Sequence, residues 1–446
     1  MPLTAFGLPM WVCLGYLFVL GTVVGSFLNV CIYRIPTKER FWESLYAVVY
    51  PKSRCPRCLN AIPPWANIPI FGWLMLRGRC FHCKGRISPR YPMIEFLNGA
   101  LWALVYWMEV PAGFGVSIID SAANGPFGPT GDPAGWWLSP VAVIHWRYFY
   151  HMVLIEALLV ASFIDLDLWI IPDGCTLPAM AVGFVGGAAI GQLFLTPVWH
   201  QNMRFARELK FWLDQSAPGL SDWIFIDGAL PDWIGQWPHL HGLAVSLAGF
   251  LIAGGVVWLV RIIGHWALGR EAMGFGDVVL MAMVGSFLGW QAGVIIFFMA
   301  PMFALLVVGL TFIVRRQREL PFGPYLSLAS LTVVIFWKQI WTSVEPIFGS
   351  GPLLLLSALI MAVAFAIIMR LIRLLFEFLG ISSDDDDDHS DDWNSGDHLF
   401  YYSGEAVDPH KGRWRNHEWP GSDSSHGWSQ YDTWRNGPSG GGNRRW

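Results

Sequence analysis

The chain has 446 residues, of which 54% are hydrophobic and 14% are charged. A soluble domain carries about 25% charged residues, so this composition excludes a disordered protein and argues against a soluble globular enzyme. Residues 381–446 hold 13 acidic and 6 basic residues, whereas residues 1–380 hold 20 acidic and 23 basic residues. The sequence therefore predicts a mildly basic membrane body with an acidic tail, and we expect no nucleic-acid partner because no basic stripe is present.

Several apolar stretches reach the length of about 20 residues that a helix needs to cross a bilayer. Residues 9–33 carry no charge and exceed the apolar part of a signal peptide, so we interpret them as a retained transmembrane helix. Further spans are predicted at 91–110, 146–164, 175–195, 241–262, 277–297, 298–314, 322–341 and 353–376. The fold class predicted is an all-α, polytopic integral membrane protein with about eight or nine transmembrane helices.

Lys and Arg residues predict which loops face the cytoplasm. Residues 34–90 hold 11 of them, and residues 91–146 hold none. A topology with the N-terminus outside therefore places 34–90 in the cytoplasm, and it places the loop 111–145 and the insert 196–240 outside. We predict an amphipathic helix at Asn202–Asp214, and the insert that contains it either lies along the membrane surface or forms a solvated lid loop.

The tail at 381–446 is of low complexity and begins with the acidic run Asp384–Asp388. Such a segment cannot bury a hydrophobic core, so we predict that it is disordered. A divalent-metal role for the run is conceivable, but a solvated run of charge is the favoured interpretation.

Four of the seven cysteines form two C-x-x-C pairs, Cys55 with Cys58 and Cys80 with Cys83. This spacing allows four thiolates to surround one Zn²⁺ tetrahedrally, and a cytoplasmic location disfavours disulfides. Because four ligands leave no open position on the ion, the pattern indicates a structural rather than a catalytic zinc site. The sequence therefore predicts a small zinc-type loop domain within 34–90.

Carboxylates at the ends of apolar helices are candidates for function because they are costly there. The first group follows an apolar helix and consists of Asp165, Asp167 and Asp173, the last of which comes directly after Pro172. The second, Gly274-Phe275-Gly276-Asp277, precedes another apolar run, and its two glycines permit unusual backbone dihedrals and close approach. Each group alone is also compatible with solvated helix ends, but both fall on the same predicted membrane face.

Two carboxylates around one water can share a proton, because two like charges a few ångströms apart are not both ionised at low cost. One carboxylate then acts as general base on the water, and the protonated one polarises a scissile carbonyl. This is aspartic peptidase chemistry, which requires neither a metal nor a nucleophilic serine.

The motifs together resemble the bacterial type IV prepilin peptidase/N-methyltransferase family over roughly residues 9–330. They occur in the family's order and include Gly25–Val30 with Tyr33–Pro36, Ser53–Cys58, Trp65–Pro69, Leu76–Cys83, Arg90–Glu95, the Asp165–Asp173 run, Gly274–Asp277 and Pro321–Pro324. We predict a domain order of a first helix (9–33), a four-cysteine domain (34–90), a second helix with an external loop (91–145), a peptidase domain (146–341, with the external insert 196–240), an extra helix (353–376) and the tail (381–446). The insert, the extra helix and the tail lie outside the family's usual pattern.

The resemblance also implies roles for particular residues. It places the catalytic pair at Asp165 and Asp277, with Asp167, Asp173, Gly274 and Gly276 as supporting residues. It implies a multi-pass enzyme of the bacterial inner membrane that cleaves prepilins or pseudopilins at the cytoplasmic face. The new N-terminus would then be methylated with S-adenosylmethionine.

The chain departs from the family pattern at Ala66, where the family usually has Asp, and at Val279, where it often has Lys. The first change puts the methyltransferase activity in doubt. Two other functions are left as alternatives: a proton-coupled transporter, and a catalytically inactive assembly protein of a pilus or secretion system. A transporter predicts internal repeats and acids near the bilayer midplane, and neither is evident.

Overall fold

A computed structural model describes residues 9–38, 40–50, 52–55, 58, 60–110, 140–216, 233–268, 273–314, 321–350 and 353–378. The described residues form helices and no strands. The predictions for the tail 381–446, for most of the 111–145 loop and for 217–232 of the insert concern residues outside this part of the chain.

Fourteen α-helices occur among the described residues. They are α1 (Met10–Arg34), α2 (Phe41–Val49), α3 (Phe71–Met75), α4 (Arg90–Glu109), α5 (Pro140–Leu168), α6 (Asp173–Ile190), α7 (Met203–Ser216), α8 (Trp233–Gln236), α9 (Pro238–Leu268), α10 (Phe275–Leu288), α11 (Trp290–Val314), α12 (Gly323–Ile335), α13 (Trp337–Phe348) and α14 (Leu353–Phe378).

Six described helices are long and apolar enough to cross a membrane: α1, α5, α6, α9, α11 and α14. Two shorter apolar helices, α10 and α12, accompany them. The predicted all-α, multi-pass membrane fold is therefore confirmed, while the count of eight or nine spans stays a prediction. The predicted span 91–110 corresponds to α4, which is not among the six.

The division between the spans predicted at 277–297 and 298–314 is wrong. The break lies at Gly289, which has φ of 86° and ends α10 after Leu288. Only glycine adopts this left-handed conformation at little cost, so it ends the helix although the apolar run continues. The predicted span 322–341 is also broken, at Phe336, into α12 and α13.

One predicted loop boundary differs from the structure, and an amphipathic helix predicted in the insert is present. Helix α5 begins at Pro140, inside the predicted external loop that ends at residue 145. The amphipathic segment predicted at Asn202–Asp214 is a helix, α7, and this part of the prediction is confirmed. The position of α7 relative to the membrane stays a prediction.

The chain divides into two compact units. The loop unit contains Gly15–Leu101 and Val160–Cys175, and therefore holds the four-cysteine segment and the end of α5. The bundle unit contains Trp102–Leu159 and the described helices after Thr176, together with the start of α1.

Close helix packing in the loop unit depends on small residues. Gly25 of α1 faces α4 so closely that an added Cβ would lie 2.8 Å from the Cα atom of Glu95. Asn98 of α4 donates a hydrogen bond to the carbonyl of Gly21 at 2.8 Å, and Asn29 donates to the carbonyl of Tyr91 at 3.1 Å. Small residues and interhelical hydrogen bonds are the usual means by which apolar helices associate.

The bundle unit uses the same device between α9 and α10. A Cβ added at Gly249 would lie 1.9 Å from the carbonyl oxygen of Gly285, so the two backbones are in direct contact. Gly242 and Gly187 make a similar backbone contact between α9 and α6, where an added Cβ would overlap the opposite carbonyl. The contact between Gly249 and Gly285 packs α9 directly against α10, which carries Asp277 in its first turn.

Candidate active site and metal centre

The four cysteines of the two C-x-x-C pairs meet in the loop unit. The Sγ atoms of Cys55 and Cys83 are 3.9 Å apart, those of Cys58 and Cys80 are 4.0 Å apart, and all four lie within 4.8 Å of one another. Zn–S bonds of about 2.3 Å in a tetrahedron require sulfur separations of about 3.8 Å. The four cysteines are not disulfide-bonded, and their arrangement fits a single metal ion.

Each C-x-x-C pair lies on a turn of the same construction. The backbone N–H of Cys55 donates to the carbonyl of Asn60 at 3.0 Å, and that of Cys80 donates to the carbonyl of Gly85 at 2.8 Å. An isolated antiparallel bridge flanks each turn, one between Arg54 and Ala61 and the other between Arg79 and Arg86. These contacts join residues at the same sequence separations in both turns, so the two C-x-x-C turns have equivalent backbone hydrogen bonding.

The surroundings of Cys80 favour its thiolate form. Burial raises its pKa, but hydrogen bonds from the backbone N–H groups of Cys83 and His82 and from neighbouring thiols lower it by more, to about 7. The thiolate is the form that binds a metal. The environment of Cys80 therefore favours binding of a cation by the cluster.

The four-cysteine segment is tied to α4 through Glu95. Ile70 has φ of 62° and ψ of −54°, and the N–H of Phe71 donates to the carbonyl of Pro69 at 2.6 Å, which together define a strained γ-turn. The carboxylate of the buried Glu95 accepts the N–H of Ile70 at 2.7 Å. A strained turn persists only where surrounding contacts hold it, and here the acid of α4 supplies such a contact.

Asp165 and Asp167 lie in the last turn of α5 and differ in their surroundings. Asp165 is buried, with 6% of its surface exposed. Asp167 is partly exposed and forms an ion pair with Arg90, in which Nη2 and Oδ2 are 2.6 Å apart. Arg90 also lies over the ring of Phe163 at 5.1 Å. The arginine that begins α4 therefore holds the end of α5.

Helix α5 ends shortly after Asp165, at Leu168. The N–H of Trp169 donates to the carbonyl of Asp165 at 2.9 Å, and Trp169 has a positive φ of 61°. Helix α6 then starts at Asp173, which is exposed and occupies the first turn, where the helix dipole stabilises a negative charge.

Asp277 lies in the first turn of α10 and is buried, with 9% of its surface exposed. Its carboxylate turns back toward the helix start, since a Cβ added at Gly274 would be 3.7 Å from Oδ2. Gly274 has φ of −68° and ψ of 150°, a conformation open to any residue, and Gly276 lies within the helix. The unusual dihedral that glycine permits is therefore not used at Gly274, and a Cβ there would make only an ordinary van der Waals contact with the acid.

The two candidate catalytic acids belong to different units, Asp165 to the loop unit and Asp277 to the bundle unit. Both are buried at helix ends. Their pairing around one water stays a prediction. Asp167 is paired with Arg90, which separates its environment from that of Asp165.

Sequence reasoning missed several buried polar contacts. Arg90 was recognised only as part of a motif, although a lone arginine at the start of an apolar helix is itself a signal. In the bundle unit, Glu109 and His151 are 1% and 0% exposed and lie 2.6 Å apart. Trp102 donates to Glu156 at 2.9 Å, which gives this acid a packing role. No periodicity in the sequence indicates these pairs.

Two family models match the chain. The bacterial peptidase A24 N-terminal domain matches residues 19–109, and the type IV leader peptidase family matches residues 223–310. The first segment contains the four cysteines and the second contains Asp277, while Asp165 lies between them. The chain belongs to the type IV leader peptidase family.

Relatives of this leader peptidase are similar over most of their length. The prepilin leader peptidase/N-methyltransferase of Aeromonas salmonicida is 27% identical over 358 residues, which cover 75% of this chain and 94% of the relative. Proteins of the same name from Stutzerimonas stutzeri and Pseudomonas aeruginosa are 29% and 28% identical, over 73% and 72% of this chain and 91% and 90% of theirs. No solved structure matches this chain.

Proposed function

We propose that this leader peptidase is a membrane aspartic endopeptidase that removes the leaders of type IV prepilins or pseudopilins and N-methylates the new N-terminus. The observation that carries the proposal is the burial of one acid at each predicted catalytic position, Asp165 and Asp277, in a chain with both family segments. Cleavage would occur at the cytoplasmic face of the inner membrane. The comparisons do not favour a proton-coupled transporter or an inactive assembly protein.

Helix geometry supports different roles for the two acids. Asp277 is in the first turn of α10, where the positive end of the helix dipole stabilises a carboxylate. Asp165 is in the last turn of α5, where the negative end of the dipole favours the neutral acid. In the proposed mechanism Asp277 is the general base that takes a proton from water, and Asp165 is the acid that polarises the scissile carbonyl.

The four-cysteine cluster is proposed to hold zinc. Thiolate ligands at these separations suit Zn²⁺, and all four positions of its tetrahedron would be filled. The ion would act as a structural cross-link between the two C-x-x-C turns. It takes no part in the proposed cleavage step.

Methyl transfer is proposed for the loop unit, which contains the N-terminal family segment. S-adenosylmethionine would supply the methyl group when bound. Ala66, which stands where the family usually has Asp, lies in the 3₁₀-helix Pro64–Asn67, and its carbonyl is so close to Gly72 that a Cβ there would lie 2.2 Å away. A side chain at Gly72 would therefore collide with the backbone of Ala66, so this local fold requires glycine there.

The proposal is tested by co-expressing the chain with a prepilin and measuring the mass of the processed N-terminus. Asp165→Asn or Asp277→Asn should abolish cleavage, because neither acid can perform the role of the other. Asp173→Asn is the matched control, since this exposed acid lies at a neighbouring helix start and should retain most activity. Substantial cleavage by a folded, membrane-inserted Asp277→Asn protein would refute the catalytic pair.

A second variant separates the two activities. Replacing Cys55 and Cys58 with Ser should lower methylation more than cleavage, because the catalytic acids lie outside the four-cysteine segment. The cleaved-unmethylated and cleaved-methylated products are resolved by mass during a time course. A parallel fall in both products would show that the cluster is a folding element for the whole enzyme.

A further inference from the structure

A groove of about 340 Å³ lies in the loop unit beside α1. One wall is formed by Val23, Phe27 and Val30, which are spaced along one face of α1 at intervals of four and three residues. The groove is also lined by Val49, at the end of α2. Phe27 and Val49 are exposed, so this apolar wall is accessible from outside the protein.

The opposite end of the groove is basic. Arg34 and Lys52 line it, and no carboxylate does so among the described residues. The Nη1 atom of Arg34 donates to the carbonyls of Ala47 and Val48 at 3.0 and 3.5 Å, which holds the end of α2 against the end of α1. The side chain of Lys52 is exposed beside it. The groove therefore combines an apolar wall with a fixed site of positive charge.

The order of these features along α1 matches the orientation of a lipid. Val23 and Arg34 are 11 residues apart, or about 16 Å along a helix, which is about half the thickness of the hydrocarbon core of a bilayer. Because α1 is a candidate membrane span, its apolar wall would lie within one leaflet and Arg34 at the headgroup level. Basic pockets between helices at this level suit phosphate headgroups.

We propose that the groove binds an anionic phospholipid, with an acyl chain along Val23, Phe27 and Val30 and the phosphate at Lys52 and Arg34. The inference goes beyond the proposed protease and methyltransferase activities and would hold if either were wrong. The lipid would join the end of α1 to α2 and so brace the four-cysteine segment that follows Lys52.

Charge argues against S-adenosylmethionine as the occupant. This molecule carries a sulfonium, an ammonium and one carboxylate, so its net charge is +1 at neutral pH. Among the described residues, two cations and no carboxylate line the groove, so it repels a ligand of net positive charge. A free phosphate ion would use the basic end but would leave the apolar wall in water.

The test measures lipid retention by the full-length protein in detergent micelles with native mass spectrometry. The probes are phosphatidylglycerol and phosphatidylcholine with identical acyl chains. We expect one retained phosphatidylglycerol per chain, weaker retention of phosphatidylcholine, and no competition by inorganic phosphate. Equal retention of the two lipids, or displacement of phosphatidylglycerol by S-adenosylmethionine, would overturn the proposal.

Variants of exposed residues keep the test independent of folding. Lys52→Gln should weaken phosphatidylglycerol binding about five-fold, because one basic residue near a headgroup contributes on the order of that factor. Arg40→Gln is the matched control: it removes the same charge at a side chain that is 84% exposed and lies 3.6 Å from Glu43. An equal loss in both variants would show non-specific attraction and would contradict the assigned site.

Val49→Glu provides a second test of the same groove. Val49 is 80% exposed, so the substitution should not disturb folding, and it places a negative charge beside the basic end. We expect a larger loss of phosphatidylglycerol than in Lys52→Gln, with retention of phosphatidylcholine unchanged. Unchanged phosphatidylglycerol retention by Val49→Glu would place the lipid elsewhere and overturn the assignment.

Discussion

The ion pair between Arg90 and Asp167 predicts a measurable coupling between the four-cysteine segment and the helix that carries Asp165. Arg90 begins α4 at the end of that segment, and Asp167 lies two residues after Asp165. The perturbation is the pair of variants Arg90→Gln and Asp167→Asn, made singly and together. Both substitutions keep a polar side chain of similar size and remove the charge.

The magnitude follows from the geometry of the pair. The side chains of Arg90 and Asp167 are 33% and 25% exposed, and the N–O distance is 2.6 Å. The effective dielectric constant around the pair therefore lies between that of bulk water and that of a dry protein interior. Unit charges about 4 Å apart interact by about 4 kcal/mol at a dielectric constant of 20 and by about 1 kcal/mol in water. After desolvation and side-chain entropy are subtracted, we expect a net coupling of about 1–2 kcal/mol.

The assay is a double-mutant cycle on the free energy of unfolding in mixed detergent micelles, with prepilin cleavage measured in parallel. Each single variant should lose about 1–2 kcal/mol, and the double variant should lose little more than either. Cleavage should fall about ten-fold, which corresponds to about 1.4 kcal/mol, but it should persist, since Asp167 is not one of the proposed catalytic acids. High salt should reduce the coupling because the pair is partly exposed.

Two results would refute the reasoning. If the two single losses add within about 0.3 kcal/mol, the residues do not interact in solution. If Asp167→Asn abolishes cleavage while Arg90→Gln leaves it unchanged, Asp167 acts in the chemistry and not through Arg90.

Three further predictions concern the metal, the helix contacts and the strained turn. Elemental analysis of purified protein should find one zinc per chain, and a double Cys55→Ser, Cys80→Ser variant should lose it; unchanged zinc would exclude the site. Gly249→Val should lower the free energy of unfolding by about 1–3 kcal/mol, because the larger side chain overpacks against α10. Gly255→Val is the control: no atom lies within 4 Å of a Cβ added there, so this variant should lose less than about 1 kcal/mol. Ile70→Gly should stabilise the four-cysteine segment locally by about 1 kcal/mol, because glycine accepts the positive φ. Proteolysis of this segment should therefore be slower in the variant, and faster proteolysis would contradict the prediction.

The sequence was most informative where residue type alone carries the chemistry. Two C-x-x-C pairs predicted a four-thiol cluster, because no other use of four cysteines at this spacing is common in a reducing compartment, and the thiols do meet. The acids Asp165 and Asp277 were conspicuous because charge is rare at the ends of apolar helices. The helix break at Gly289 was not predictable, since an unbroken apolar run shows no period that marks it.

The tertiary structure distinguished residues that the sequence had grouped together. Asp165, Asp167 and Asp173 form one acidic run in the sequence, yet one is buried, one is paired with Arg90 and one is exposed at a helix start. In the sequence, Glu95 only ends the motif Arg90–Glu95, but in the structure its carboxylate holds the strained turn at Ile70, which precedes it by 25 residues.

The sequence by itself determined the membrane fold class, the four-thiol cluster and the two acidic motifs, because hydropathy and ligand chemistry are properties of residue types and short spacings. Only the tertiary structure decided where the helices break, which acids are neutralised by a partner, and where an apolar helix wall meets a basic end. These features depend on contacts between residues tens of positions apart, such as Arg90 with Asp167 and Gly249 with Gly285. Such contacts are set by packing in three dimensions, which no local pattern in a chain of uniformly apolar helices encodes.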